Sequence, residues 1–278
     1  FMLFIAAASL WLFTTTFFGL LLVFNFSRSW LPDNSIEYLS IHAHMGLAGW
    51  FLLLIIGVAS RLIPMFLISK YSIPVTLWWI FALVNVALFA FIILKTSGAY
   101  PNLYYSPFLL VLIALVLFGN YNYRAYKTRI RKHVDEQMKI SLLSVAMLLL
   151  PLLCLLAVIY FIREDSRSNI IILYGFCIFF GWITALIMGM TFKTLPFIIW
   201  NKVYHTRTMG KTPAPKELFS EDIFKVMGLL YLTGFVLFVA GILILNDLFL
   251  KAGAAILLAS AIFYIINVVK TVFHRVKG

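Results

Sequence analysis

IHAHMGLAGWFLLLIIGVASRLIPMF, residues 41–66, decides how this chain is read. Between His44 and Arg61 it carries no charge, and it is too long and too uniformly apolar for a strand, whose side chains would alternate in character. A bilayer is crossed by about 20 apolar residues in a helix, so this stretch reads as a membrane span. It also has an echo. Gly49-Trp50, Gly57, Arg61 and Pro64 return 132 residues later as Gly181-Trp182, Gly189, Lys193 and Pro196. An internal repeat of this kind defines the architectural unit.

The rest of the chain follows the same reading. Of 278 residues, 63% are hydrophobic and 12% charged, and the mean hydropathy is +1.02. Soluble domains carry roughly a quarter charged residues, so a soluble enzyme, a disordered tail and a secreted disulfide scaffold are excluded. Eight spans are expected, at 3–25, 38–66, 73–95, 105–123, 140–162, 169–199, 223–246 and 252–273. The fold class is therefore all-α and integral to the membrane. The repeat divides it into four-helix units at 1–130 and 131–278. An even number of spans per unit keeps the orientation, so the repeats are expected to be parallel.

Lysine and arginine choose the inside. Alternate loops and helix ends hold 17 of the 22 basic residues on one side and 5 on the other, while the ten acidic residues divide evenly. The formal charge of +12 thus gathers on one side, the expected cytoplasm, with the first and last residues there. The basic loops 124–139 and 201–216 read as orientation signals facing anionic lipid, and nucleic acid is not expected as a partner. The chain opens on Phe1-Met2-Leu3 without an initiator Met, so it reads as a fragment with room for a preceding arc.

The repeated residues have physical roles. Gly49, Gly57, Gly181 and Gly189 are expected at close helix contacts. Pro64 and Pro196 can end or kink a helix. Arg61 and Lys193, one turn before the prolines, either snorkel to lipid phosphates or meet a carboxylate, from a cofactor or an ion pair. Thr14, Thr15 and Thr16 can bond back to helix carbonyls. Tyr100, Tyr104, Tyr105 and Trp30 read as interfacial anchors.

Two of the five histidines stand apart. His133, His205 and His274 belong to the basic side. His42 and His44 open the second span on the opposite side, with Asp33 and Glu37 shortly before them. At about 100° per residue, positions two apart point to nearly opposite sides of a helix. One metal cannot easily take both, but two groups flanking the helix can take one each. Arg61 lies 17 residues beyond His44, about 25 Å along a helix, and cannot touch what His44 binds. Alternatively, both are interfacial histidines satisfied by nearby polar groups. Met188, Met190, Met147 and Cys177 are soft enough for Cu(I), though methionine is ordinary packing in a span. The second cysteine, Cys154, lies in a different apolar run, and the pair lacks metal-knuckle spacing.

His42-Ala43-His44-Met45-Gly46-Leu47, leading to Arg61-Leu62-Ile63-Pro64-Met65-Phe66, resembles the His-x-His helix of subunit I in the heme–copper oxidase superfamily. The later Gly181-Trp182 through Lys193-Thr194-Leu195-Pro196-Phe197 resembles small oxidase-like bacterial membrane proteins. The resemblance covers about 60 residues. It implies an oxidase-like helical fold in a bacterial cytoplasmic membrane. It implies b-type heme, with copper possible, on His42 and His44, and other membrane or cytochrome subunits as partners. Electron transfer or small-gas binding would be the role. The chain departs from the family in three respects. It has no His-His pair, Tyr174 and Phe176 stand where the repeat would place His42 and His44, and no acidic residue falls inside a span. Oxygen reduction by this chain alone is not expected. A scaffold subunit that has lost its cofactors is the alternative, and a transporter is a third reading.

Overall fold

The computed structural model describes residues 1–130, 133–161, 167–205 and 212–274. Among them there is no strand. Among the described residues, eight helices are long and apolar enough to cross a membrane. They are α1 Met2–Arg28, α2 Leu39–Leu67, α3 Pro74–Thr96, α4 Pro101–Lys127, α5 Glu136–Tyr160, α6 Ser168–Tyr204, α7 Glu221–Ile244 and α8 Asp247–Val272. This is the architecture of a multi-pass membrane protein. Helices overrun the apolar stretches where polar residues still suit a helix. The clearest case is α6, 37 residues long, which carries Asn201 and Lys202 past its last apolar run.

The chain forms two compact units, Phe1–His133 and Val134–Gly278. In the first, α1 lies along α2, while α3 and α4 pair through a short connection. Half of the most apolar stretch of α2 is buried, making it the central helix of its unit. Trp11 on α1 donates from its indole N–H to Asn85 on α3 at 2.9 Å. Thr14, Thr15 and Thr16 bond back to the carbonyls of Leu10, Trp11 and Leu12. In the second unit α5 lies along α6, and α7 and α8 pair across a tight turn. Asn246 caps α8 by accepting from the N–H groups of Leu248 and Phe249. The amide of Asn267 on α8 both donates to and accepts from the backbone of Ser220, ahead of α7. Such pairing matters because a bare backbone group in hydrocarbon costs several kcal/mol.

The repeat extends from sequence into backbone and packing. In α2 the winding loosens to a π-helix over Met45–Leu52, and in α6 over Cys177–Ile183, again 132 residues on. Each π stretch contains the Gly-Trp pair. A side chain added at Gly49 would meet Trp11 of α1 and Leu88 of α3. One at Gly181 would meet Phe235 of α7 and Met147 of α5. In both units, then, this glycine faces the first and third helices. The nearest atoms to Gly57 and Gly189 come from the first helix of each unit, at Phe4 and at Gln137–Ser141 respectively.

Both prolines lie inside their helices. α2 ends three residues after Pro64, but α6 continues to Tyr204, so Pro196 does not end it. A helical proline orphans the carbonyl four residues back. For Pro64 that carbonyl belongs to Ser60, and the Tyr121 hydroxyl of α4 donates to it at 3.2 Å. The loosened winding of α6 is served in the same way. The Tyr231 hydroxyl of α7 lies 2.8 Å from the carbonyl oxygens of both Phe180 and Gly181.

Candidate functional site

The head of α2 is set by a buried polar knot beneath the loop that leads into it. Asn25, near the end of α1, accepts from the Leu31 N–H at 2.6 Å and donates to the Asp33 carbonyl at 3.1 Å and the Ser35 hydroxyl at 3.2 Å. Ser35 in turn donates to the Leu22 carbonyl at 2.8 Å. The chain therefore enters α2 from a fixed point on α1, and His42 and His44 inherit that position.

The two imidazoles face different helices, as two positions 200° apart on a helix must. His42 points to α1. Its Cε1 lies 2.7 Å from where a side chain on Gly19 would begin, and the Phe18 ring is 6.5 Å away. His42 Nδ1 is buried and has no hydrogen-bond partner among the described residues. His44 points to α3, with its ring 4.7 Å from that of Phe91. Its Nδ1 is 2.7 Å from the Ser40 carbonyl oxygen. A carbonyl only accepts, so Nδ1 carries the proton and Nε2 carries the lone pair. This is the arrangement by which metal-binding histidines are commonly oriented.

Neither nearby carboxylate is directed at the imidazoles. Asp33 accepts from the Tyr38 hydroxyl at 3.2 Å, and Glu37 lies 3.9 Å from Lys95. Desolvation, then the hydrogen bond to Asp33 and its charge, raise the Tyr38 phenol above its ordinary value.

Arg61 and Lys193 hold equivalent positions in the repeat but have different surroundings. Arg61 is exposed, with its guanidinium 5.6 Å from the centre of the Phe1 ring. Lys193 forms an ion pair with Asp135, which precedes the first turn of α5. Of the two roles open to Lys193, the second unit uses the ion pair. Tyr174 and Phe176, the counterparts of His42 and His44, are joined to the apolar core of that unit. Among the candidate soft ligands, Met147, Cys177 and Met188 belong to this core, whereas Met190 is half-buried outside it. Of the other histidines, His274 pairs with the Tyr204 hydroxyl at 2.9 Å. No group of three or more His, Cys, Asp or Glu able to hold a metal occurs among the described residues.

Sequence reading missed three of these features. Gly19 follows no repeat and has no spacing signal. The Asn25–Ser35 knot is built from common loop residues. Asp135 was countable as a loop charge, but its partner lies 58 residues away.

Gly19 yields a direct test. Gly19→Val pushes into the imidazole of His42 and is expected to cost about 1–3 kcal/mol by overpacking. In a His42→Ala background the same change costs much less, because the obstructing ring is gone. Thermal unfolding of the four proteins in detergent measures the coupling. Equal costs in both backgrounds would refute the contact.

No family model matches the chain, and neither a curated protein nor a solved structure matches it.

Proposed function

We propose that this chain is an oxidase-like protein of a bacterial cytoplasmic membrane, with its first and last residues on the cytoplasmic side. In this reading His42 and His44 serve as ligands to b-type heme near the outer face. Its role is electron transfer or small-gas binding within a larger complex of membrane or cytochrome subunits. The observation that carries this reading is the buried Nδ1 of His42, which no group among the described residues satisfies. Buried polar nitrogens are nearly always paired, and an exception asks for an explanation.

The donor set suits heme. Both ligands are imidazoles, they face opposite sides of one helix, and His44 is held by the Ser40 carbonyl with Nε2 as the basic nitrogen. Heme would supply a one-electron couple or an axial position for a diatomic gas. The chain's own residues orient the imidazoles and keep water away. Phe18 and Phe91 stand beside the two rings and must swing aside to admit a porphyrin. Copper on one of the two histidines is a variant of the same reading.

Protein purified from its native membrane is expected to give a reduced-minus-oxidised heme spectrum and a b-type pyridine hemochrome. His42→Ala should remove at least one heme per chain. A wild-type preparation free of heme would overturn the proposal.

One observation favours a second reading, a scaffold subunit without cofactors. The chain's own atoms close the site, with Gly19 against one imidazole and Phe91 against the other. On that reading the double variant His42→Ala/His44→Ala assembles normally, and its complex keeps full activity.

A further inference from the structure

The second unit, which holds neither His42 nor His44, has a groove between α5 and α7. Glu136, Ile140 and Leu143 line it from α5, and Lys225, Gly228 and Leu232 from α7. Each set is spaced by three or four residues, so each helix offers a single face. The charged residue comes first on both helices, at the first residue of α5 and in the second turn of α7, and apolar residues follow for about 10 Å. Tyr231 also lines the groove, but its hydroxyl is committed to the carbonyls of Phe180 and Gly181 on α6. The groove measures about 210 Å³. Several waters of about 30 Å³ would fit, yet each needs polar partners that the apolar walls do not offer.

Gly228 gives the groove its depth. Elsewhere on α7 glycine serves helix packing. An added carbon would stand 2.9 Å from Leu257 at Gly234, and 2.8 Å from the Leu250 nitrogen at Gly241, both against α8. At Gly228 it would meet the tip of Ile140 at 3.5 Å, an ordinary contact. No helix contact among the described residues therefore requires glycine there. At the rim, Lys225 is exposed and pairs with no carboxylate among the described residues, although Glu221 and Asp222 precede it by one turn. Glu136 accepts from Lys139 at 2.7 Å through one oxygen, and a carboxylate can accept further donors through its second.

We propose that this groove holds one phospholipid whose zwitterionic headgroup carries a primary ammonium, the phosphatidylethanolamine class. Lys225 meets the phosphate, Glu136 meets the ammonium, and one acyl chain lies between α5 and α7 over Gly228. Charge complementarity selects this occupant. The rim offers one charge of each sign, as the headgroup does. A glycerol headgroup would leave Glu136 beside a net negative charge, and a choline has no N–H to donate to it. The order of charged rim and apolar wall also matches an amphiphile entering from the membrane surface. An apolar helix from a second copy would instead cover the Lys225 ammonium without a partner, which is costly. Burial of apolar surface gives no preference here, because lipid tails are already in hydrocarbon. Retention therefore rests on the headgroup pairs and on the fit of the chain against Gly228. The site does not depend on His42 or His44.

The protein is reconstituted in nanodiscs with equal parts of phosphatidylethanolamine, phosphatidylcholine and phosphatidylglycerol, released into mild detergent and read by native mass spectrometry. One retained lipid per chain is expected, with the ethanolamine class enriched about threefold over either other, the modest gain of one exposed ion pair. Lys225→Gln should lower retention about tenfold, as loss of a charge-assisted hydrogen bond does. Glu136→Gln should keep the lipid but abolish the headgroup preference. Gly228→Leu fills the groove and should remove the lipid. Leu229→Phe, on the same helix outside the groove, should change nothing. The headgroup preference is read on wild-type protein, so it stands even if a variant fails to fold. Retention without preference, preference for the glycerol headgroup, or a lipid kept by folded Gly228→Leu would overturn the proposal. So would a lipid-free dimer that Gly228→Leu separates, which would give the groove to a second copy.

Discussion

Asp135→Ala is expected to destabilise the Val134–Gly278 unit by about 2 kcal/mol, between the values for exposed and fully buried ion pairs. The Lys193 side chain is 14% exposed and that of Asp135 30%, so both charges are partly removed from water. Removing the carboxylate takes the counter-charge from an ammonium that α5 helps to enclose. It also deletes an acidic residue at a helix N-terminus, where a negative charge is favoured. The loss is electrostatic rather than a lost cap, since the Asp135 side chain makes no capping bond to the first turn. Lys193→Met should cost less, because it leaves Asp135 beside the helix dipole. The double variant Asp135→Ala/Lys193→Met should recover much of the loss, as replacing both charges by apolar groups often does. Reversible unfolding of the four proteins in detergent gives the cycle. An Asp135→Ala protein as stable as wild type would show that the pair contributes nothing.

Gly189→Val is expected to be at least as damaging, at about 3 kcal/mol, the upper end of ordinary overpacking. A Cβ at Gly189 would stand 2.8 Å from both the Gln137 carbonyl oxygen and the Ser141 amide nitrogen, and still nearer the Ser141 hydroxyl. Backbone atoms cannot swing away, so α5 and α6 must separate. Gly175, on the same helix, has nothing among the described residues within 4 Å of its added Cβ. Gly175→Ala should therefore be neutral or stabilise by about 0.5 kcal/mol, the usual gain of alanine over glycine in a helix. Thermal midpoints of the two variants, measured side by side, test the contrast, and equal midpoints would refute it. Gly189 lies one turn from Lys193, so Gly189→Val should also disturb the ion pair. Its effect should not add simply to that of Asp135→Ala.

Much of the architecture can be read from residue types alone. Long apolar runs, with basic loops on alternate sides, mark eight helices. A Gly-Trp pair with a following glycine, cation and proline marks the repeat. The opposed directions of His42 and His44 follow from the angle between successive residues of a helix. What stays hidden depends on distant parts of the chain or on details of winding. Asp135 and Lys193 meet only because α5 folds against α6. The notch at Gly19 is meaningful only once His42 is known to face it. Nothing in MGLAGWFL distinguishes its π winding from the α winding of any apolar stretch, because both bury similar side chains. Tyr121 and Tyr231 are likewise unremarkable in sequence. Their value lies in the freed carbonyls they reach on another helix.

The π stretches also have a consequence for phase. A bond reaching five residues back, instead of four, takes one more residue into the turn. Side chains beyond it are rotated by about 100° relative to an unbroken α-helix. The two ends of α2 are therefore indexed separately. One end aims His42 and His44, and the other aims Gly57 and Arg61, with a slip between them. A helical wheel drawn through the whole span superposes faces that never align. A point substitution at either end leaves the other end's aim intact. Loss or gain of a single residue within Met45–Leu52 would instead turn one end against the other, like a gear that has skipped a tooth.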